Sequence, residues 1–397
     1  MRIAYFSDTY LPEVNGVTTT LTKLSGYLER KGIQHAFFTP EYEGAVYLPS
    51  SILRPGMSVF SEYKQIHRYQ GVKVNISPNS RFAFPIPWNI FNICDDFAPD
   101  VVHVTTEFGL GHSGITYAKL RKLPLIMSFH TDYCEYLKYY NLTQLQVLIE
   151  FYMKFYYGFS NRMLVPSQYT MEQLKRKGFD NLGLWSRGID TVRFSAGFRS
   201  EQVRDRLGIG GKFAFLYVGR ISPEKGLNMF LRSIEEINRA YPGKAVFVFT
   251  GEGPFEDTIR SAGSENIIMT GFKHGSELSE IYASCDCFAQ PSGTETFGNT
   301  CLEAMASGLP LAGVASGGVT DYLVHDKNAL LSNSGDEAGF TKNLIRFMND
   351  EQLRRRLANN GTETALSKDW DRVFNGLLEE YETVICENYM MTLKQSA

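Results

Sequence analysis

The stretch Phe213-Ala-Phe-Leu-Tyr-Val-Gly-Arg220-Ile-Ser-Pro-Glu-Lys225-Gly226 decides the fold. From 213 to 219 it is continuously apolar, as in a parallel strand covered on both faces. A polar loop follows, and then a helical pattern. Strand, loop and helix in this order form one unit of a doubly wound α/β sheet, whose ligands bind at the carboxyl ends of the strands. Four further strands recur at the same rhythm, at 245–250, 267–270, 287–291 and 310–314, with helical patterns between them.

An earlier series repeats the rhythm. Its strands are expected at 3–6, 36–39, 101–105, 125–130 and 163–166, and its first helix at 17–30, closed by Gly32. Residues 42–98 are less regular. Two series imply two Rossmann-like domains, 1–190 and 191–370, joined through a polar stretch at 185–212. A long amphipathic helix is expected over 371–387, at the start of a 371–397 tail.

The bulk composition fits this division. The chain has 397 residues, more than one ordinary core, and its 43% hydrophobic and 21% charged content is globular. Forty basic residues against 43 acidic ones leave a charge of −3, so nothing draws the chain to nucleic acid. The six cysteines (Cys94, Cys134, Cys285, Cys287, Cys301 and Cys386) form no C-x-x-C pair and are expected to be buried free thiols in a reducing compartment. The N-terminus enters a strand directly without a signal-peptide stretch, and no run of 18 apolar residues exists. A cytoplasmic location is expected, with contact at the inner face of the membrane as an option.

Four segments carry candidate chemistry. After the strand at 213–219, Arg220 offers a planar fork and Lys225 a point charge, which together suit a diphosphate; a solvated loop with two surface cations is the plainer alternative. After the strand at 287–291 comes Glu295-Thr-Phe-Gly-Asn-Thr-Cys-Leu-Glu303, running into a helix. Gly298 allows close backbone approach, and the helix start offers free N–H groups to an anion. Glu295 is placed to accept from sugar hydroxyls and Glu303 to take both hydroxyls of a ribose. The alternative is a capping Glu295 and a solvent-facing Glu303. The small and apolar neighbours Cys301, Leu302, Ala304, Met305 and Ala306 argue against a solvated helix.

The first turn, 8–16, ends on Gly16, where N–H groups face outward, but it lacks the G-x-G-x-x-G spacing of nicotinamide sites. Ser128-Phe-His130-Thr-Asp132 ends a strand, so His130 either bonds a sugar or is a satisfied structural histidine. Asp369-Trp-Asp371 matches a short metal-binding D-x-D pattern, but its place before a helix favours capping. Tyr136, Leu137, Tyr139, Tyr140, Leu145, Leu148, Phe151, Tyr152, Phe155 and Tyr156 make 133–157 dense in large apolar side chains. That segment is either a core helix or a membrane-facing one.

Taken in order, these segments resemble the retaining glycosyltransferases of family 4, of GT-B fold, over essentially the whole chain. Glu295 and Glu303 fit that family's E-x7-E motif, and Arg220 and Lys225 its phosphate-binding pair. Gly251-Glu-Gly-Pro254 and Thr270-Gly-Phe272 match its C-domain strand ends. Ser7 to Gly16, His103 to Glu107, Phe129 to Asp132 and Trp185-Ser-Arg-Gly-Ile-Asp190 resemble bacterial α-mannosyltransferases and glucosyl- or sulfoquinovosyl-diacylglycerol synthases.

The resemblance implies an α/β GT-B fold with two Rossmann-like domains facing a cleft, an acceptor domain first and a donor domain second. It also implies a terminal helix that crosses back to the first domain. A hexose would move from a nucleotide-diphosphate sugar, of GDP-mannose or UDP-glucose type, to a lipid or glycan acceptor. The product would be α-linked and no metal or other cofactor required. Arg220 and Lys225 would stabilise the leaving diphosphate. Glu295, with Thr296, Phe297, Gly298 and Asn299, would hold the hexose, and Glu303 the ribose. Gly16 would approach the diphosphate, and His130 the hexose. A sugar-nucleotide epimerase of the same fold and a non-catalytic sugar-nucleotide-binding protein are the competing readings.

Overall fold

The computed structural model describes residues 1–13, 15–42, 64–73, 81–83, 87–130, 143–262 and 265–396. The first sheet uses β1 (Arg2–Phe6), β2 (Gln34–Pro40), β3 (Lys64–Tyr69), β6 (Val101–Val104), β7 (Leu125–Ser128), β8 (Arg162–Val165) and β9 (Leu182–Leu184). Between them β4 (Gly71–Lys73) and β5 (Arg81–Ala83) form a separate antiparallel pair. The sheet runs β3-β2-β1-β6-β7-β8-β9, every pair parallel.

The second sheet uses β10 (Phe213–Val218), β11 (Ala245–Thr250), β12 (Ile267–Gly271), β13 (Cys287–Gln290), β14 (Leu311–Val314) and β15 (Leu330–Ser332). It runs β12-β11-β10-β13-β14-β15, again all parallel. The apolar runs account for this: β11 and β13 are buried along their whole length, as strands covered by helices on both faces must be. The expected strand at 125–130 stops at Ser128 and leaves His130 in the following loop.

Strand order reverses at β1/β6 in the first sheet and at β10/β13 in the second. Those are the points where an open α/β sheet parts its loops and admits a ligand. The loops after β1, β10 and β13 carry Gly16, Arg220–Lys225 and Glu295 respectively.

The last helix, Trp370–Ser396, crosses back to the first sheet. Its Phe374, Leu377, Tyr381 and Val384 are buried in one cluster with Ile3, Tyr5 and Trp185. The Tyr381 hydroxyl lies 3.0 Å from the Tyr5 hydroxyl and 2.6 Å from His103 Nδ1. Asp369 caps this helix, its Oδ1 accepting from the Asp371 N–H at 3.3 Å, and Asp371 pairs with Arg30 at 2.8 Å. Both carboxylates of the D-x-D pattern thus have structural partners. Cys94, Cys285, Cys287 and Cys301 are buried and free. Cys386 departs from the expectation: it stands on the exposed face of the terminal helix. Cys134 lies outside the described residues. No helix among the described residues is long and apolar enough to cross a membrane.

Candidate active site

The site is built where β10 and β13 release their chains side by side. Lys225 Nζ donates to Glu295 Oε1 at 2.7 Å, and both side chains are largely shielded from water. Burial alone would raise the Glu295 pKa; the adjacent Lys225 ammonium and its hydrogen bond overcome it and hold the carboxyl below its ordinary range. The site therefore keeps a fixed negative charge beside a fixed positive one.

Arg220 reaches outward and is half exposed, its Nη2 3.2 Å from Glu224 Oε1. Glu224 itself is fully buried and accepts from the Ser222 hydroxyl at 2.6 Å. Its main-chain carbonyl accepts from Thr294 Oγ1 at 3.2 Å, which ties the loop after β10 to the loop after β13. Sequence reasoning missed Glu224. A lone Glu in a polar loop carries no signal of burial.

The loop holding Glu295 is shaped from below by Gly317 and Gly318. The Gly318 N–H donates to the Glu295 carbonyl at 2.6 Å, and a methyl group on Gly318 would fall 1.9 Å from the Thr296 carbonyl oxygen. Only glycine permits that approach. Gly298 caps the helix Asn299–Ala306 in the left-handed region (φ 85°). A methyl group on Gly298 would fall 2.5 Å from Val319 Cγ1, so its tight contact is with the protein. Phe297 is buried against Tyr322, ring centroids 5.3 Å apart. The Tyr322 hydroxyl sits 3.1 and 2.7 Å from the carbonyls of Phe297 and Gly298.

Glu303 lies one turn inside that helix and accepts from the Tyr282 hydroxyl at 2.8 Å. Burial pushes its pKa up to about 7, with Tyr282 and the charge of Arg193 pulling the other way. The solvent-facing alternative is therefore wrong for Glu303, and the capping alternative for Glu295 yields to the Lys225 ion pair.

The first sheet supplies the facing wall. A methyl group on Gly16 would stand 3.7 Å from Asn299 Nδ2, so the turn after β1 meets the helix start after β13 across the cleft. Asn299 Oδ1 is buried without a hydrogen-bond partner among the described residues. Thr296 Oγ1 donates to the His130 carbonyl at 3.4 Å. The His130 ring is held by Arg187, whose Nη2 donates to Nδ1 at 2.8 Å. Arg187 was read only as part of a motif; its position beside His130 depends on tertiary folding. Asp132, next to it in the motif, lies outside the described residues.

All ten candidate residues thus converge: Arg220, Lys225, Glu295 and Glu303 with Thr296 to Asn299 on one wall, Gly16 and His130 on the other. The helix Gln146–Tyr157 stands apart from them. It buries Met153, Tyr156 and Tyr157 in the first domain's core but exposes Val147, Leu148, Phe151 and Phe155. The buried face is that of the core helix expected as one alternative, and the other face is exposed. Tyr136, Leu137, Tyr139 and Tyr140 lie outside the described residues.

Two parallel sheets with strand-end loops facing across a cleft, and a terminal helix returning to the first sheet, make up the GT-B architecture. The comparisons with known proteins agree. Residues 14–193 match the model described as Glycosyltransferase Family 4, and residues 199–364 the model described as Glycosyl transferases group 1. The chain belongs to this family of glycosyltransferases and is a hexosyltransferase.

A GDP-mannose-dependent alpha-mannosyltransferase of Mycobacterium tuberculosis is 28% identical over 391 residues, 97% of each chain. An alpha-monoglucosyldiacylglycerol synthase of Acholeplasma laidlawii is 28% identical over 385 residues, 91% of each chain. Among solved structures, a sucrose-phosphate synthase of Thermosynechococcus elongatus superposes with a TM-score of 0.77 at 17% identity, covering 97% of this chain and 99% of that one.

Proposed function

We propose that this enzyme is a retaining hexosyltransferase that moves a hexose from a nucleotide-diphosphate sugar, of GDP-mannose or UDP-glucose type, onto a lipid or glycan acceptor. The observation that carries the reading is the side-by-side placement of Arg220 and the Lys225–Glu295 pair at the β10/β13 switch point. Cleavage of the bond between the anomeric carbon and the diphosphate builds negative charge on the leaving phosphate. Arg220 and Lys225 are cations already in place for that charge, and preorganised charge lowers such a barrier. They fill the role a divalent metal otherwise plays, so the reaction proceeds without one. Glu295 orients the hexose hydroxyls while Lys225 keeps it ionised. Glu303, one helical turn away, takes the ribose.

The acceptor enters from the Gly16 wall. The front-face route fits this arrangement: the departing phosphate oxygen takes the acceptor proton, the incoming oxygen attacks from the same face, and the α configuration is kept. Closure of the cleft, of which the Thr296–His130 bond is one contact, excludes water. The exposed Phe151 and Phe155 stripe supports peripheral contact with the inner face of the cell membrane, where a lipid acceptor would lie.

The testing experiment incubates the enzyme with GDP-mannose and UDP-glucose and a diacylglycerol or glycan acceptor, without metal, and reads the product's anomeric configuration by NMR. A β-linked product, or no transfer from either donor, would sink the reading. Epimerised donor in the absence of acceptor would favour an epimerase instead.

A further inference from the structure

Arg187 is a buried guanidinium outside the donor loops, and its surroundings leave it one conformation. Its Nη1 donates to the carbonyls of Trp185 at 2.7 Å and Ser186 at 3.0 Å. Its charge lies 4.9 Å from the Trp185 ring centroid. The next residue, Gly188, is pressed against Trp370 of the terminal helix, where a methyl group would meet the indole at 2.7 Å. From this fixed point Nη2 reaches His130 Nδ1 at 2.8 Å.

Arginine only donates hydrogen bonds, so His130 Nδ1 must accept. The neutral ring then carries its proton on Nε2. That nitrogen is buried and has no partner among the described residues. Among the described residues, the charged and titratable groups facing the ring are Arg187 and His103. Protonating Nδ1 would set a second cation against the guanidinium in a site shielded from water. Burial, Arg187 and His103 together push the His130 pKa well down. The His130 carbonyl meanwhile accepts from Thr296 of the donor loop, so the unpartnered Nε2–H belongs to the residue that touches that loop.

We infer that Arg187 is a positioning residue that locks His130 as the neutral Nε2–H tautomer, making it an obligate hydrogen-bond donor to a hydroxyl oxygen of the transferred hexose and withholding it as a proton acceptor. The tautomer stands on the structure alone; the hexose as its partner rests on the proposed function. A histidine held in this way cannot serve as the acid/base group that an epimerase would need.

Two measurements test this. Nitrogen-15 NMR of the free enzyme reads the tautomer directly. The expected spectrum shows His130 as Nε2–H, without titration, from about pH 5.5 to 8. An Arg187→Met variant should release the ring into a mixture of tautomers that titrates, and Arg187→Lys should restore part of the wild-type signal. In kinetics, Gln places an amide N–H near the Nε2 position but cannot take up a proton. His130→Gln should therefore lose only about 5-fold in kcat/KM, whereas His130→Ala should lose on the order of 10²-fold. An Nδ1–H tautomer, wild-type titration near neutrality, or a His130→Gln enzyme as impaired as His130→Ala would overturn the inference. Absence of transfer from every nucleotide sugar, with the Nε2–H spectrum intact, would instead overturn the functional reading.

Discussion

Lys225 and Glu295 lie 70 residues apart in sequence, yet their side chains meet at 2.7 Å because β10 and β13 are neighbours in the sheet. The pair does two things at once. It places a cation beside the expected leaving group, and it keeps a mostly buried carboxylate ionised. Lys225→Met should therefore act on both. The Glu295 charge is left without its partner, so stability should fall by about 3 kcal/mol and the carboxyl pKa should rise. Turnover should fall by on the order of 10²–10³. The double variant Lys225→Met, Glu295→Gln removes the stranded charge. Thermal denaturation should show it recovering most of the lost stability, while kinetics show no recovery of turnover. If the double variant is no more stable than the single one, the ion pair is not what couples the two loops.

Arg220 carries an electrostatic role toward the leaving phosphate and a structural one toward Glu224. Its guanidinium is half exposed but pairs with the fully buried Glu224, so Arg220→Ala should lower the melting temperature by stranding that carboxylate, whereas Arg220→Lys keeps a cation beside it. Its proposed charge on the leaving phosphate is needed most in the transition state. Arg220→Ala should lower kcat by on the order of 10²–10³ with a smaller change in KM. Arg220→Lys should recover part of the rate, because a point charge replaces the charge but not the two-pronged geometry. Unchanged kcat in Arg220→Ala would remove Arg220 from the chemistry.

These two sites were legible in sequence for a local reason. The apolar run of β10 and the small-residue helix after β13 announce their own strand ends, and the charged residues follow directly. Other features depend on contacts that no local pattern carries. The burial of Glu224 is set by the meeting of two loops, and the position of Arg187 by a helix nearly 200 residues away. The strand β3, Lys64-Gln-Ile-His-Arg-Tyr69, is a polar edge strand, and β9 and β15 have only three residues each; none shows a buried run or a clear alternation. Cys386 was expected inside because a cysteine usually is, but its helix turns that face to water.

Glu303 makes the protein's stability depend on pH in an unusual direction. Burial lifts its folded-state pKa to about 7 from an ordinary 4.5. Between those values the unfolded chain has released the proton and the folded chain still holds it. The folded state thus binds more protons, and stability falls as pH rises through this window, by about 3 kcal/mol in all. Glu303→Gln should flatten that slope and be the more stable protein at pH 8. The ionised form is the one able to accept from both ribose hydroxyls. Nucleoside diphosphate binding to the wild type should therefore tighten as pH rises through about 7 and release a proton, measurable by calorimetry in two buffers of different ionisation enthalpy. Proton-neutral binding at pH 6.5 would remove Glu303 from the ribose.

Gly318 tests the shape of the donor loop without touching its charges. A Cβ there would overlap the Thr296 carbonyl, which is backbone and cannot swing aside. The loop must move, and Glu295 to Asn299 with it. Gly318→Ala should cost about 2 kcal/mol in stability and raise the donor KM at least about 10-fold. A crystal structure of the variant with the 295–299 loop unmoved would contradict this account.

The helix Gln146–Tyr157 poses the last question, since it turns four large apolar side chains toward water. Phe151 is 70% exposed and Phe155 61%, with Val147 and Leu148 alongside, while Met153, Tyr156 and Tyr157 pin the opposite face into the core. A stripe of this kind on a firmly anchored helix suits insertion into the boundary between headgroups and acyl chains. Because the anchor lies on the other face, Phe151→Ser with Phe155→Ser should leave the fold and the melting temperature unchanged. The double variant should lose flotation with liposomes, and should turn over a vesicle-embedded lipid acceptor more slowly while using a water-soluble acceptor at the wild-type rate. The two acceptor assays divide the outcomes. Equal loss with both would place the stripe in acceptor binding rather than membrane contact, and equal flotation of variant and wild type would move the membrane contact to another face of the first domain.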